Sequence, residues 1–164
     1  MTSTAEKKDK RLLIVAHTPS PNTVEMAEAI ATGARNSAIE NVNTELRSPF
    51  DCDSELVLSS DALVLFTTEN FGYMSGALKD FFERIYYPCL EQPKRNDAKP
   101  YALVIKAGLD GTGTDVSVSK ITKGLNWKAA QASHIFKGDF RSEFLEQCQE
   151  LGLTIAASLD AGII

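Results

Sequence analysis

Three short runs of uninterrupted apolar residues stand out along the chain, at residues 12–16, 62–66 and 101–105. Runs of this length are typical of strands that are buried on both faces of a parallel sheet. Two more polar stretches, residues 42–46 and 132–136, predict strands at the edges of that sheet.

Apolar residues with helical spacing fill the intervals between these strands. They predict four helices, whose repeating positions are Ala27, Ile30, Ala31 and Ala34; Leu78, Phe81, Phe82 and Ile85; Val118, Ile121 and Leu125; and Phe144, Cys148, Leu151 and Ile155. A short additional helix is expected within residues 53–60. Strands that alternate with helices indicate βαβ units. We therefore predict an α/β three-layer sandwich with a five-stranded parallel sheet in the order 2-1-3-4-5. We expect a single domain over residues 1–164, with a disordered tail at residues 1–9.

In a sheet of this kind the ligand lies beyond the carboxyl ends of the strands. Three predicted loops converge there, at residues 18–23, 67–75 and 107–115. The first loop precedes a helix expected to start at Val24, and its hydroxyl and amide groups suit an anion, because the first helical N–H groups lack intrahelical partners. The alternative is an ordinary turn in which Asn22 or Thr23 caps the helix.

The first loop resembles the phosphate-binding loop of flavodoxins, Ser/Thr-x-Thr-Gly-Asn-Thr, which holds flavin mononucleotide (FMN). The resemblance lies at four positions, namely Thr18, Ser20, Asn22 and Thr23. The loop departs from the pattern at Pro21, where the family usually has glycine. Pro19 and Pro21 both lack an N–H group, so two phosphate donors are missing.

The second loop carries a more specific likeness. Residues 67–84 read TTENFGYMSGALKDFFER. They resemble a string in flavin-dependent NAD(P)H and quinone oxidoreductases of the flavodoxin-like superfamily, which has an aromatic-Gly-x-Met/x-Ser-Gly core followed by Leu-Lys-x-Phe-x-x-Arg. Phe71 or Tyr73 could lie against a flavin ring, and packing of the same side chains on the sheet explains them equally well.

The third loop, residues 107–115, contains three glycines and no aromatic residue. It could wrap the pyrimidine edge of a flavin, or it could be no more than a long flexible turn. Many flavodoxins place an aromatic residue in this loop and enclose the ring. Its absence here would leave one face of the ring open to a nicotinamide or a quinone.

The resemblance implies a flavodoxin-like fold, FMN as the cofactor, and NADH or NADPH as the electron donor. No side chain is predicted to be catalytic, because the flavin supplies the chemistry. The predicted cofactor-binding residues are His17, Thr18, Ser20, Asn22, Thr23, Thr68, Glu69, Asn70, Phe71, Gly72, Tyr73, Ala107, Gly108, Gly111 and Gly113. For His17, a strand-end residue bonded to backbone is the simpler explanation.

The expected activity is an NAD(P)H-dependent reduction of a quinone or a similar small acceptor. One alternative is a flavodoxin-type electron carrier that docks on a redox partner protein, and another is a domain that has lost flavin because of Pro21. The resemblance also implies a homodimer or tetramer, since such reductases often build the site at a subunit interface.

Charge and cysteine content limit the partners and the cellular compartment that we expect for this protein. The net charge of −5 argues against nucleic acid and against an anionic membrane surface as partners. The three cysteines, Cys52, Cys89 and Cys148, are widely spaced, which predicts buried reduced thiols and no metal site. The first apolar run is too short for a secretion signal, and no run approaches the roughly 20 residues of a membrane span. We therefore expect a cytoplasmic protein.

Overall fold

The computed structural model describes residues 9–164. The strands are β1 Lys10–Ala16, β2 Val42–Arg47, β3 Ala62–Asn70, β4 Tyr73–Met74, β5 Pro100–Ala107, β6 Lys128–Ala129 and β7 His134–Lys137. The helices are α1 Pro21–Ala34, α2 Ser54–Leu58, α3 Gly76–Leu90, α4 Pro93–Asn96, α5 Thr112–Gly124 and α6 Glu143–Asp160, with a 3₁₀ turn at Pro49–Asp51. Apart from Asp9, the predicted N-terminal tail lies outside the described residues.

The strands of the described chain form one sheet in the order β2-β1-β3-β5, and β6 and β7 both pair with the far edge of β5. All of these pairings are parallel, as predicted. The antiparallel strand β4, which pairs with the end of β3, was not predicted. Together with the presence of both β6 and β7 where one edge strand was predicted, it brings the sheet to seven strands instead of the expected five.

The predicted fifth strand, residues 132–136, corresponds to β7, which begins two residues later, and a separate short strand, β6, precedes it. β6 pairs with Pro100 and Tyr101, whereas β7 pairs with the second half of β5. Between these two strands, the hydroxyl of Ser133 donates to the carboxylate of Asp115 on α5 at 2.6 Å. This contact ties the residue that precedes β7 to α5.

Alternate side chains of the central strands face two separate helical layers. Leu12, Ile14 and Ala16 belong to a buried cluster with α1 and α6. Leu13 and Val15 belong to a second cluster with α2, α3 and α5. The sheet is therefore the middle layer of the predicted sandwich, and it directs the carboxyl ends of β1, β3 and β5 to one common edge.

Close backbone contact between α1 and α6 fixes the position of the first loop. A methyl group on Gly33 would clash with the carbonyl oxygen of Gln149, and one on Gly152 would clash with that of Ile30. Only glycine permits this approach. The first helix is thus anchored along its length, with its N-terminus at the carboxyl edge of β1.

Two helices begin earlier than the sequence predicts. α1 begins at Pro21 and not at Val24. Proline fits the first helical position because its missing N–H has no intrahelical acceptor there. α5 begins at Thr112, so the last part of the predicted third loop is helical. Within residues 9–164, no helix is long and apolar enough to cross a membrane.

Candidate functional site

The first loop is built around a reciprocal pair of hydrogen bonds between Ser20 and Thr23. The Ser20 N–H donates to Thr23 Oγ1 at 3.0 Å, and the Thr23 N–H donates to Ser20 Oγ at 3.3 Å. This is a capping box, and it makes Ser20 the N-cap of α1. The expected alternative caps, Asn22 and Thr23, are therefore wrong as N-caps. Both backbone N–H groups of the pair are committed within the loop.

Two residues of the first loop keep their donors for a ligand. The side chains of Thr18 and Asn22 make no hydrogen bond within residues 9–164. The N–H of Asn22 lies in the first turn of α1, where no intrahelical acceptor exists. His17 contributes less, since burial lowers the pKa of its imidazole and so favours the neutral form. The backbone N–H of His17 donates to the carbonyl of Phe66 at 3.0 Å, as expected for a strand-end residue.

A cation that the sequence reasoning missed lies beside this loop. Arg47 ends β2, directly opposite Val15 in the register of β1. Together with Thr18 and Arg35, it lines a cavity of about 350 Å³ between α1 and β2. Arg35 donates to the carbonyl of Thr44 at 3.1 Å, and Arg47 pairs with Glu45 at 3.1 Å. The only sequence signal for Arg47 was its place at the end of a strand neighbouring β1.

The second loop is a tight β-hairpin and not an irregular loop. Its turn residues, Phe71 and Gly72, have φ values of 54° and 71°, which suit a two-residue hairpin turn. Phe71 is fully exposed, so it does not pack on the sheet. A methyl group on Gly72 would meet no atom within 4 Å. The turn therefore presents an aromatic side chain and bare backbone to the space beyond the sheet.

Two buried hydroxyl groups, which sequence reasoning did not single out, hold the base of this hairpin. Thr67 Oγ1 accepts the N–H of Ser75 at 3.0 Å and contacts its hydroxyl at 3.1 Å. Ser75 in turn caps α3 by accepting the N–H of Leu78 at 3.2 Å. The hairpin is thus joined rigidly to the start of α3. A serine just before a helical repeat was the one available signal.

The third loop is bound to the hairpin through Glu69. Its two carboxylate oxygens accept the N–H groups of Leu109 and Gly111, each at 2.8 Å. A methyl group on Gly113 would clash with the carbonyl oxygen of Gly72, so the start of α5 touches the turn directly. These contacts bring the second and third loops together, as the topology predicts.

The remaining predicted site residues differ in their access to this edge of the sheet. Thr68 and Asn70 lie beside each other at the end of β3, with Thr68 Oγ1 donating to Asn70 Oδ1 at 2.9 Å. Gly108 is exposed at the end of β5. By contrast, the side chain of Ala107 is fully buried. Tyr73 lines a groove between α3 and α5, together with Lys79 and Lys120.

This parallel sheet, flanked by helices on both faces and with polar loops at its carboxyl edge, defines a doubly wound α/β protein. No protein-family model matches the chain. A flavodoxin from Aquifex aeolicus (strain VF5) is 32% identical over 75 residues, which is 46% of this chain and 40% of that protein. The chain therefore matches less than half the length of this curated relative.

Solved structures extend the likeness to nearly the whole chain. An archaeal flavodoxin matches with a TM-score of 0.75 and 19% identity, covering 91% of this chain and 98% of its own. Rubredoxin oxygen:oxidoreductase from Desulfovibrio gigas matches with a TM-score of 0.74 and 16% identity, covering 96% of this chain and 38% of its own. The chain has a flavodoxin-like fold, which confirms the predicted fold class.

The residues at this edge suit the FMN that the sequence predicts. Thr18 and Asn22 have unused neutral donors that would suit a phosphate, and Arg47, which pairs with Glu45, lies nearby. For a flat ring, backbone is accessible at Gly72, Gly76 and Gly108, where a methyl group would meet no atom within 4 Å. The two prolines and the capping box leave fewer backbone donors than the flavodoxin pattern offers.

Proposed function

We propose that this protein is an FMN-binding oxidoreductase that takes hydride from NADH or NADPH and reduces a quinone or a similar small acceptor. The observation that carries the proposal is the carboxyl edge of the sheet. There, the free donors of Thr18 and Asn22 and the bare backbone of Gly72 and Gly108 lie on converging loops. FMN, when bound, supplies the hydride and electron transfer.

The chain's own residues would bind and orient this cofactor. Thr18 and Asn22 hold the phosphate at the N-terminus of α1, where the helix dipole also favours an anion. The hairpin, residues 69–74, offers backbone to the ring, and Phe71 is free to close over it. The third loop carries the exposed Leu109 and no aromatic side chain, which leaves room for a second planar ligand.

Flavin titration tests the cofactor assignment. FMN and riboflavin are added separately to the flavin-free protein, and quenching of flavin fluorescence reports binding. We expect one FMN per chain and clearly weaker binding of riboflavin, because only FMN carries the phosphate. Equal affinities would show that the first loop holds no phosphate. Absence of binding by either flavin would favour a domain that has lost its cofactor.

Anaerobic stopped-flow spectroscopy tests the enzymatic step. NADH or NADPH should bleach the flavin absorbance of the loaded protein at a rate that saturates, and a benzoquinone should restore it. Leu109→Tyr should slow the bleaching while FMN stays bound, because hydride transfer needs reacting atoms within about 3–3.5 Å. If neither nicotinamide reduces the loaded protein faster than free FMN, the reductase proposal fails.

An electron carrier is the second candidate. It is favoured by the similarity to flavodoxins and by the net charge of −5, which suits docking on a positively charged redox protein. A carrier would bind FMN in the titration but would not be bleached by either nicotinamide. It would instead exchange electrons with a partner protein at a rate that falls as salt is added.

We further propose that the protein works in the cytoplasm as a homodimer or tetramer. All three cysteines are buried and unpaired, which suits a reducing compartment. Light scattering coupled to size exclusion measures the mass of the assembly. A mass of about one chain, 17.9 kDa, at working concentration would contradict the oligomer.

A further inference from the structure

We propose that Glu69 is a positioning residue that holds the third loop against the hairpin and thereby shapes the site for the nicotinamide. This inference rests on the proposed function, since it concerns the same edge of the sheet. Its structural part, the attachment of the loop, can be tested without any cofactor.

The geometry around Glu69 is specific for a carboxylate. Both acceptor oxygens are used, one for the N–H of Leu109 and one for that of Gly111, each at 2.8 Å. Charge-assisted hydrogen bonds of this kind are about twice as strong as neutral ones. The two donors lie 40 and 42 residues along the chain from Glu69, so the contact joins two loops that the local sequence does not connect.

The carboxylate also completes the start of α5. Gly111 is the N-cap of this 13-residue helix, with φ of 74°, and as a glycine it has no side chain to cap the helix itself; the carboxylate of Asp110 accepts the N–H of Thr112 at 3.0 Å. The N-terminus of a helix carries partial positive charge, which favours a nearby anion. Glu69 supplies a second carboxylate beside that of Asp110, and because it comes from β3 it also fixes the loop that precedes the helix.

The attachment to Glu69 affects Leu109, which is 71% exposed and forms the outer part of the loop. Its N–H is held directly by Glu69, so the position of this side chain depends on the carboxylate. A glutamine at position 69 keeps one acceptor oxygen but turns an NH₂ donor toward the other N–H group. Glu69→Gln should therefore detach one side of the loop at almost constant volume.

Hydrogen exchange of the flavin-free full chain provides the first test. We expect Glu69→Gln to speed exchange at one of the two amides, that of Leu109 or that of Gly111, by about 10- to 100-fold, the range set by loss of a hydrogen bond to a charged group. The matched control is Asp110→Asn. Asp110 lies in the same loop, and its carboxylate accepts hydrogen bonds from Thr112, including the N–H at 3.0 Å, but none from Leu109 or Gly111. This control should leave the exchange of both amides unchanged.

The second test uses the loaded protein and a readout that a purely structural residue would not change. Glu69→Gln should raise the half-saturating nicotinamide concentration about tenfold and change the limiting bleaching rate by less than about threefold. Glu69→Asp, which keeps the charge on a shorter arm, should recover part of the affinity.

The outcomes separate this inference from the proposed function. Unchanged exchange at Leu109 and Gly111 in Glu69→Gln would overturn the attachment. Faster exchange together with an unaltered half-saturating concentration would overturn the role in nicotinamide binding. If the wild-type protein binds no FMN although Glu69→Gln still loosens the loop, the proposed function fails and the attachment stands.

Discussion

At the scale of single residues, the hydroxyl groups of the first loop differ in their hydrogen bonding, although the sequence alone does not distinguish them. Ser20 and Thr23 bond to each other and start α1, and Thr23 is almost fully buried. Thr18 makes no side-chain hydrogen bond within the described residues and lines the cavity beside Arg47. We therefore expect stability to depend on the first pair of hydroxyls, and the proposed phosphate binding on Thr18.

Thr18→Val and Thr23→Val should consequently affect two different quantities, FMN affinity and stability respectively. Thr18→Val should weaken FMN binding by roughly 1.5–3 kcal/mol, the value for a hydrogen bond to a charged group, without lowering the free energy of unfolding of the flavin-free protein. Thr23→Val should lower that free energy by about 1 kcal/mol through loss of the capping box. Urea unfolding and FMN titration measure the two quantities.

Riboflavin is the internal control for this pair, because it lacks the phosphate. Its affinity should be the same in the wild type and in Thr18→Val. A matching loss of riboflavin affinity would instead place Thr18 against the ring or the ribityl chain.

At the scale of secondary-structure elements, glycines set the distances between neighbours. Gly33 and Gly152 allow α1 and α6 to touch, and Gly113 allows α5 to touch the hairpin turn at Gly72. Helix propensity alone would favour alanine at all three helical positions by about 1 kcal/mol each. Their presence shows that backbone contact between elements outweighs local helix stability here.

Gly113→Ala is expected to lower the free energy of unfolding, contrary to its better helix propensity. The added methyl group would clash with the carbonyl of Gly72, which is backbone in a tight turn and cannot swing aside. Overpacking of this kind costs about 1–3 kcal/mol. Urea unfolding of the flavin-free protein measures the change.

Gly76→Ala serves as the control for this prediction. Gly76 is the first residue of α3, and a methyl group there would meet no atom within 4 Å. The substitution should leave stability unchanged or raise it slightly. A gain of stability in Gly113→Ala as well would mean that the hairpin moves away from α5 at little cost.

At the scale of the whole molecule, the two hydrophobic layers both contain ionisable groups held neutral. Burial raises the pKa of Cys52 and Cys148 to about 12 and that of Cys89 to about 11. Cys148 lies in the layer of α1 and α6, and the other two lie in the layer of α3. Both halves of the core therefore respond to alkaline pH in the same direction.

Stability should fall as the pH rises above 9, the ordinary thiol pKa. Above that pH the unfolded chain releases thiol protons that the folded chain retains up to its raised pKa values, so unfolding becomes more favourable. Each thiol contributes a slope of about 1.4 kcal/mol per pH unit within this window. Urea unfolding between pH 8 and pH 11 measures the effect.

Cys148→Ala isolates one of these contributions, since it should reduce the slope by that of a single thiol. The comparison with the wild type also cancels the opposing contribution of Lys99, whose pKa is lowered by burial. An unchanged slope in Cys148→Ala would show that this thiol ionises in the folded protein as readily as in the unfolded one.

The pattern of apolar and polar residues along the chain was sufficient to predict much of this architecture. The uninterrupted runs in β1, β3 and β5 lie in the centre of the sheet, because such strands are covered on both faces. Alternation of strands and helices predicted the parallel order, since crossover connections have one hand. The convergence of three polar loops followed from that order and needed no further information.

Other features follow from contacts between residues far apart along the chain. The attachment of Leu109 to Glu69, the position of Arg47 near Thr18 and the pairing of both β6 and β7 with β5 each depend on how finished elements pack. The periodicity of a segment indicates which of its faces is buried, but it does not indicate which distant residue packs against that face. Those pairings are determined by the packed fold, because distance and burial decide which of several chemically similar residues come into contact.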